Sequence, residues 1–333
     1  MEETVVIDQM QPKRTKDLIK IKVLGIGGGG NNAVNQMIKT DVDGAEYILI
    51  NTEKGILDRA NTNGCATLQI GKEVAQGLGA GANPEVGEKA ARESIQEIDK
   101  ILEDTDLLFV TAGMGGGTGT GAIPVIAEEA RKKGILTIGV VTKPFMFEGK
   151  LRSVRANMGI EKLKPNVNAL IVISNDKLLE NTTNNVSILN AFKMTDDILR
   201  QGIQSITDLI NSVGTINVDF ADVKTILSYE GFAYMGIGEA EGENRIIDAT
   251  NAALANPLTE RSIDGAQGVI FNIKGSEDIG LDEINRSAGL IAEKVSPDAN
   301  VIFGTDIDES LGDKVIVTVV ATGVEEKVED KKK

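Results

Sequence analysis

Nine consecutive residues, Gly113-Met-Gly-Gly-Gly-Thr-Gly-Thr-Gly121, hold six glycines and two threonines. They follow the apolar run Leu107–Val110, which reads as a buried strand. They precede Ala122–Ala127, which reads as a helix with Pro124 in its first turn. With so few side chains, backbone N–H groups are free to converge on an anion at the positive end of a helix. The threonines add hydroxyl donors. Gly115, Gly116, Gly117, Thr118 and Gly119 are therefore candidates to cradle phosphates. A glycine-rich turn can also serve tight packing alone, but the density and regular order here argue against that.

A second glycine run, Gly25-Ile-Gly-Gly-Gly-Gly-Asn-Asn32, follows the first apolar strand and offers Gly28, Gly29, Gly30, Asn31 and Asn32. It contains a formal G-x-G-x-x-G, the dinucleotide pattern, which is weak by itself. A dinucleotide fold should place an acid at the end of the second strand, whereas Tyr47–Ile50 ends in Asn51 and Thr52, with Glu53 beyond. That reading also leaves the 113–121 loop without a role. Two phosphate loops on one sheet edge suit a nucleoside triphosphate, and G-x-x-x-x-G-K-[ST] is absent. A third loop, Gly77–Pro84 with Gly79, Ala80 and Gly81, reads by itself as a flexible connection. Glu148 and Arg152 flank a glycine and could bind ribose hydroxyls and phosphate; an exposed ion pair is the plainer reading. Phe192 and Asp196 are four residues apart, hence on one helix face. A ring can stack on a purine, and a carboxylate accepts both N1–H and N2–H of guanine. A core phenylalanine above a surface aspartate is the ordinary meaning of that spacing. Asp219 and Asp222 could orient a water or organise a cation, or could belong to a turn and helix cap.

These residues must be set in a chain of 333 residues with no histidine and one cysteine, Cys65. Ser-His-Asp and Cys-His catalysis are excluded, as are imidazole and multi-thiolate metal sites, and no protein metal centre is expected. Catalysis by positioning and electrostatics remains. A lone cysteine excludes an internal disulfide framework and fits a reducing, cytoplasmic setting. Of the net charge of −15, −12 falls in residues 230–313, where 17 acidic side chains face 5 basic ones. Such a surface repels nucleic acid and anionic membrane.

The supporting elements alternate. Strand-like runs at Ile21–Ile26, Tyr47–Ile50, Leu107–Thr111, Leu136–Val141 and Ala169–Ile173 are separated by helical patterns at Asn32–Lys39, Pro84–Leu102, Ile123–Lys133 and Arg152–Lys162. This order predicts a parallel sheet with helices on both faces and ligands at the strands' carboxyl ends. One long amphipathic helix follows from Val186 to Ile210, with Gly214 as a stop, and beyond it a smaller αβ unit.

The 113–121 run, taken with the second loop, resembles the signature of the tubulin superfamily and, within it, of the FtsZ family of cell-division GTPases. The resemblance covers about residues 20–323. It implies an α/β fold: a Rossmann-like parallel-sheet GTPase domain (20–185) joined by a central helix (186–213) to a smaller α/β domain (214–323). A flexible arm (1–19) and a disordered charged tail (324–333) would flank these. It implies GTP or GDP as ligand, with Mg2+ carried by the nucleotide. By resemblance the 77–81 loop closes over the γ-phosphate, Glu148 and Arg152 contact the nucleotide, Asn175 faces the ribose, and Phe192, Asp196 and Asn32 hold guanine. Asn217, Asp219 and Asp222, in the loop 214–224, would act on the nucleotide of the next subunit in a head-to-tail filament. The expected function is GTP-driven assembly into the division ring at mid-cell, with division-ring regulators as further partners. The alternative is a GTP-binding filament with little turnover. Two departures are expected to matter. Tyr229, Phe232 and Tyr234 stand where small residues are usual, which should alter packing between domains. The chain ends at Lys333 without the family's terminal anchor-binding peptide, so no direct membrane contact is expected.

Overall fold

The computed structural model describes residues 19–39, 44–60, 65–180, 186–211, 219–229, 231–255, 259 and 261–324. The arm before residue 19, Gly214, Asn217 and the tail beyond 324 lie outside the described residues.

Runs of apolar, largely β-branched residues form the central strands because both faces of a parallel sheet are covered. β1 (Ile21–Ile26) is buried at every position. Beside it lie β2 (Glu46–Asn51), β3 (Cys65–Gln69), β4 (Leu107–Gly113), β5 (Leu136–Lys143) and β6 (Ala169–Ser174). The second unit contributes β7 (Gly231–Ala240), β8 (Gly268–Gly275), β9 (Asn300–Ile307) and β10 (Val315–Thr322). All ten form one sheet in the order β3-β2-β1-β4-β5-β6-β7-β10-β8-β9. The strands from β3 to β6 in this order run parallel, as in doubly wound folds. β7 joins the halves: Gly231–Ala233 pair in parallel with β6, and Tyr234–Ala240 pair antiparallel with β10.

The helices cover both faces. α1 (Gly27–Lys39) and α8 (Ile188–Asn211) share one core with β1, β4 and β5. α3 (Pro84–Glu93), α4 (Ile95–Ile101), α5 (Thr118–Lys132) and α6 (Lys150–Leu163) share the core on the other face. Leu199, Ile203 and Ile206 of α8 are almost fully buried, as the 3.6-residue period requires. The second unit has its own core, with α10 (Arg245–Ala255) and α11 (Leu281–Ala292) on the sheet.

Several boundaries differ from the sequence expectation, each for a physical reason. α1 begins at Gly27 and α5 at Thr118, so both start inside the glycine runs. Pro124 consequently sits in the interior of α5 rather than in its first turn, and the Thr120 carbonyl loses its helical donor. The single helix expected over 84–102 divides at Ser94, whose hydroxyl accepts from Gly71 N–H at 3.0 Å. The short helices α2 (Lys54–Leu57), α7 (Asn175–Glu180) and α9 (Phe220–Leu227), and edge strand β3, lack a clear apolar period and were not expected. Of the aromatics in this stretch, Phe232 packs at the join and Tyr234 in the core of the second unit. The Phe232 ring packs against Lys164 Nζ, 4.6 Å from its centroid, and against the Arg261 guanidinium at 4.1 Å. Tyr234 donates its hydroxyl to the Ala253 carbonyl at 2.6 Å.

Candidate active site

The glycine loops converge at the carboxyl ends of β1 and β4, and they touch each other. A Cβ on Gly27, whose φ is +71°, would lie 2.7 Å from Gly119 N. One on Gly30 would lie 2.4 Å from the Thr111 carbonyl oxygen, and one on Gly117 would lie 2.7 Å from Ala80 Cβ. At these positions glycine is required for loop-on-loop contact. Gly28, Gly116 and Gly81 are different, because a Cβ there would meet nothing within 4 Å. They leave open the space that a phosphate chain needs.

The 77–81 loop reaches this point because α3 lies directly on α5. A Cβ on Gly121 would be 1.9 Å from the Pro84 carbonyl oxygen, so only glycine permits that approach. Asn83 caps α3, its side chain accepting from Glu85 N–H at 3.0 Å. Gly115 N–H donates to Thr120 Oγ1 at 2.8 Å and Met114 N–H to the Thr142 carbonyl at 2.9 Å, which fix the 113–121 turn on β5.

Beside the loops is a cleft of about 200 Å³. Gly29, Asn32, Glu148, Arg152, Asn175, Phe192 and Asp196 all line it. Residues scattered over more than 160 positions are thus brought together at one sheet edge. Asn175 Oδ1 is buried with no hydrogen-bond partner among the described residues, an acceptor that a bound hydroxyl or amide would satisfy. Arg152 Nε and Glu148 Oε2 form an ion pair at 3.0 Å, and Glu148 also accepts from Phe145 N–H at 2.9 Å. Phe192 meets Phe145 edge to face at 5.4 Å and still keeps 38% of its surface exposed. Burial pushes the Asp196 carboxyl up to about 6.

Of the expected residues outside the cleft lining, Gly28, Gly30, Gly79–Gly81 and 115–119 belong to the loops beside it, and three others stand apart. The Asn31 side chain is buried and hydrogen-bonded to Gly25 O, Ile50 O and Asn51, so it shapes the loop from behind. Asp219 caps α9, accepting from Ala221 N–H at 3.2 Å, and Asp222 is exposed in its first turn. α9 packs on β8, β9 and β10. α8 separates it from the cleft: from Asp196 to the end of α8 at Asn211 is about 22 Å along the axis.

Thr142, Thr195 and Met114 also line the cleft and were not anticipated. Thr142 lies near the carboxyl end of β5 and Thr195 directly precedes Asp196, positions that could have pointed to them. A wider depression of about 1000 Å³ lies at the amino ends of β1 and β2, lined by Lys20, Lys22, Glu46 and Asp104 among others. It is on the wrong end of the strands for a ligand of this fold.

This fold and this double glycine cradle define a tubulin-like nucleotide-binding protein. Residues 20–183 match the family model of the Tubulin/FtsZ GTPase domain, and residues 231–325 that of the FtsZ C-terminal domain. An empty FtsZ dimer from M. jannaschii is 42% identical, with 94% of this chain and 90% of that one covered and a TM-score of 0.87. A GTPγS-bound CetZ2 protofilament from Haloferax volcanii shares the fold at 21% identity, covering 92% of this chain and 94% of that one, with a TM-score of 0.79. The chain belongs to the FtsZ family of GTPases.

Proposed function

We propose that this chain binds GTP and GDP in the cleft beside the glycine loops, assembles head to tail, and hydrolyses GTP at sites completed by the adjacent subunit. The observation that carries this is a division of labour. The residues read as contacting base and ribose line the cleft at the Phe192–Asp196 end of α8, beside the glycine loops, whereas Asp219 and Asp222 follow its other end, exposed and outside the cleft lining. A carboxylate pair so placed can reach a triphosphate only on another molecule. Phosphoryl transfer needs positioning and electrostatic stabilisation rather than a histidine, which suits this composition.

In this reading Asp196 accepts from guanine, Phe192 and Asn32 flank the base, and Asn175 and Glu148 take ribose hydroxyls. Arg152 and the loop amides of 28–32 and 115–119 hold the phosphates. Gly79, Ala80 and Gly81 cover the γ-phosphate. Among the described residues no group of three acidic, cysteine or histidine side chains converges. A Mg2+ ion would therefore be held chiefly by phosphate oxygens and water, as is usual for that ion. β2 ends in Asn51 and Thr52, whose side chains bond Asn31 and Thr118, and the carboxylate of Glu53 lies only beyond them, which disfavours a nicotinamide cofactor. The cellular role that follows is a cytoplasmic filament of the division ring at mid-cell, open to regulators. GTP hydrolysis measured against protein concentration, with sedimentation in parallel, tests the reading. Turnover per subunit should rise steeply where sedimentable filaments appear, and a constant specific activity from nanomolar to micromolar protein would overturn the shared site.

A further inference from the structure

Thr118, the first residue of α5, has a neighbour that no reading of the nucleotide site uses. Its Oγ1 lies 2.6 Å from Thr52 Oγ1, and both side chains are buried. Thr52 directly follows β2, and the next two residues hold the 77–81 loop. Glu53 forms an antiparallel bridge with Leu78, and Lys54 N–H donates to the Gly77 carbonyl at 3.1 Å. The same loop presses on the phosphate cradle through Ala80 and Gly117.

We propose that Thr52 is a positioning residue that couples a terminal phosphoryl group held at Thr118 to the conformation of the 77–81 loop; this rests on the GTP-site reading above. Each hydroxyl has one proton, so the bond between the two threonines can run in either direction. A phosphoryl oxygen beside Thr118 accepts a hydrogen bond from that residue's hydroxyl, which obliges Thr52 to donate to Thr118 Oγ1. The two bonds then form a chain in which each strengthens the other. Without the terminal phosphoryl group the direction is not imposed, and the link from Thr118 to Glu53 and Lys54 is looser. The loop that covers the γ-phosphate is thereby informed of it through the protein as well as by direct contact.

The test combines amide hydrogen exchange of residues 77–81 with equilibrium binding of GDP and a slowly hydrolysed GTP analogue. In the wild type the loop should exchange more slowly with the GTP analogue than with GDP. Thr52→Val keeps the shape and removes the hydroxyl. It should erase that difference and lower the ratio of GTP-analogue to GDP affinity by about three- to tenfold, the range for one neutral hydrogen bond. Thr52→Ser should restore both. Equal weakening of both nucleotides in Thr52→Val, no change in their ratio, or a wild-type loop indifferent to which nucleotide is bound would overturn the proposal. If Thr52→Val fails to fold, Thr52→Ala compared with Thr52→Ser decides it: the alanine variant should lose the difference that the serine variant keeps, and equal behaviour of the two would overturn the proposal. A wild type that binds neither nucleotide would instead remove the GTP-site reading itself.

Discussion

Asn51 donates its side-chain amide to Asn31 Oδ1 at 2.6 Å, and Asn31 donates its own to the carbonyls of Gly25 at 2.7 Å and Ile50 at 3.3 Å. One buried side chain thus ties the ends of β1 and β2 to the helix that carries the first glycine run. Asn31→Ala would strand an amide and two carbonyls in the interior. An unsatisfied buried group costs about 1–3 kcal/mol, so a loss of about 3 kcal/mol or more is expected in a urea titration. A loss below about 1 kcal/mol would show that the network does not carry the loop.

The glycines of α1 should separate by what faces them. Gly28→Ala meets open space and gains helix propensity, so folding should be unchanged or better by up to about 1 kcal/mol. Nucleotide binding should nonetheless weaken, because the methyl group enters the phosphate space. Gly30→Ala would drive a methyl onto the Thr111 carbonyl and should destabilise the fold by about 3 kcal/mol. Thermal melts with and without GDP distinguish the two.

Asp196 gives nucleotide binding a pH dependence. Its carboxyl is pushed up to about 6 by burial in the free protein, and only the ionised form can accept both guanine donors. Binding must therefore expel a proton below that pH. GDP affinity should fall about tenfold between pH 7 and pH 5. Asp196→Asn should lose most of this dependence, bind GDP more weakly at pH 7, and discriminate less against adenine nucleotides. A flat GDP profile in the wild type would remove the assignment.

Asp222→Ala should leave GTP binding and much of assembly intact, since the side chain is exposed and distant from the cleft. Loss of a transition-state contact of this kind costs about 2.7–4 kcal/mol, so turnover should fall about a hundredfold or more. In mixed filaments an Asp222→Ala subunit should silence its neighbour's nucleotide while its own remains cleavable beside a wild-type partner. Silencing of its own nucleotide instead would place the residue in its own subunit's site.

How much of this was legible in the sequence depended on the length scale of the signal. The parallel core and α8 were readable because uninterrupted apolar runs and a 3.6-residue period state burial directly. Phe192 and Asp196 were readable as a shared face because helix spacing is local. The start of α5 at Thr118 was not, since six glycines in a row of nine look unlike a helix until neighbouring backbone fixes them. The Thr52–Thr118 and Asn31–Asn51 bonds were also hidden. Each joins residues that only the strand order brings together, and no spacing rule marks them.

Asp208, between α8 and the second unit, should set part of the stability profile. Burial is the main cause that pushes its carboxyl up to about 6, the nearby Asp306 charge also raises it, and Lys274, Gln204 and Arg200 oppose them. A folded-state value above the unfolded one means that rising pH ionises the unfolded chain first. Stability is therefore lost between about pH 4 and 6, with the full penalty present above pH 6. Asp208→Asn should raise stability at pH 7 by about 1–2 kcal/mol and flatten the profile between pH 4 and 6. Denaturant titrations at pH 4 and pH 7 give the comparison.

The ten-residue strand β7 makes the two lobes mechanically unequal in how they are joined. Seven register pairs bind it to β10, but only Gly231, Phe232 and Ala233 bind it to β6. Within the sheet, load between the lobes passes through that three-pair seam, while α8 adds side-chain contact such as Ser205 Oγ to Thr318 Oγ1 at 3.2 Å. Lys164 and Arg261, one from each lobe and both packed on the Phe232 ring, act there as a side-chain rivet. Under pulling, the second lobe should detach with β7 still attached to it, and the tear should begin at Phe232.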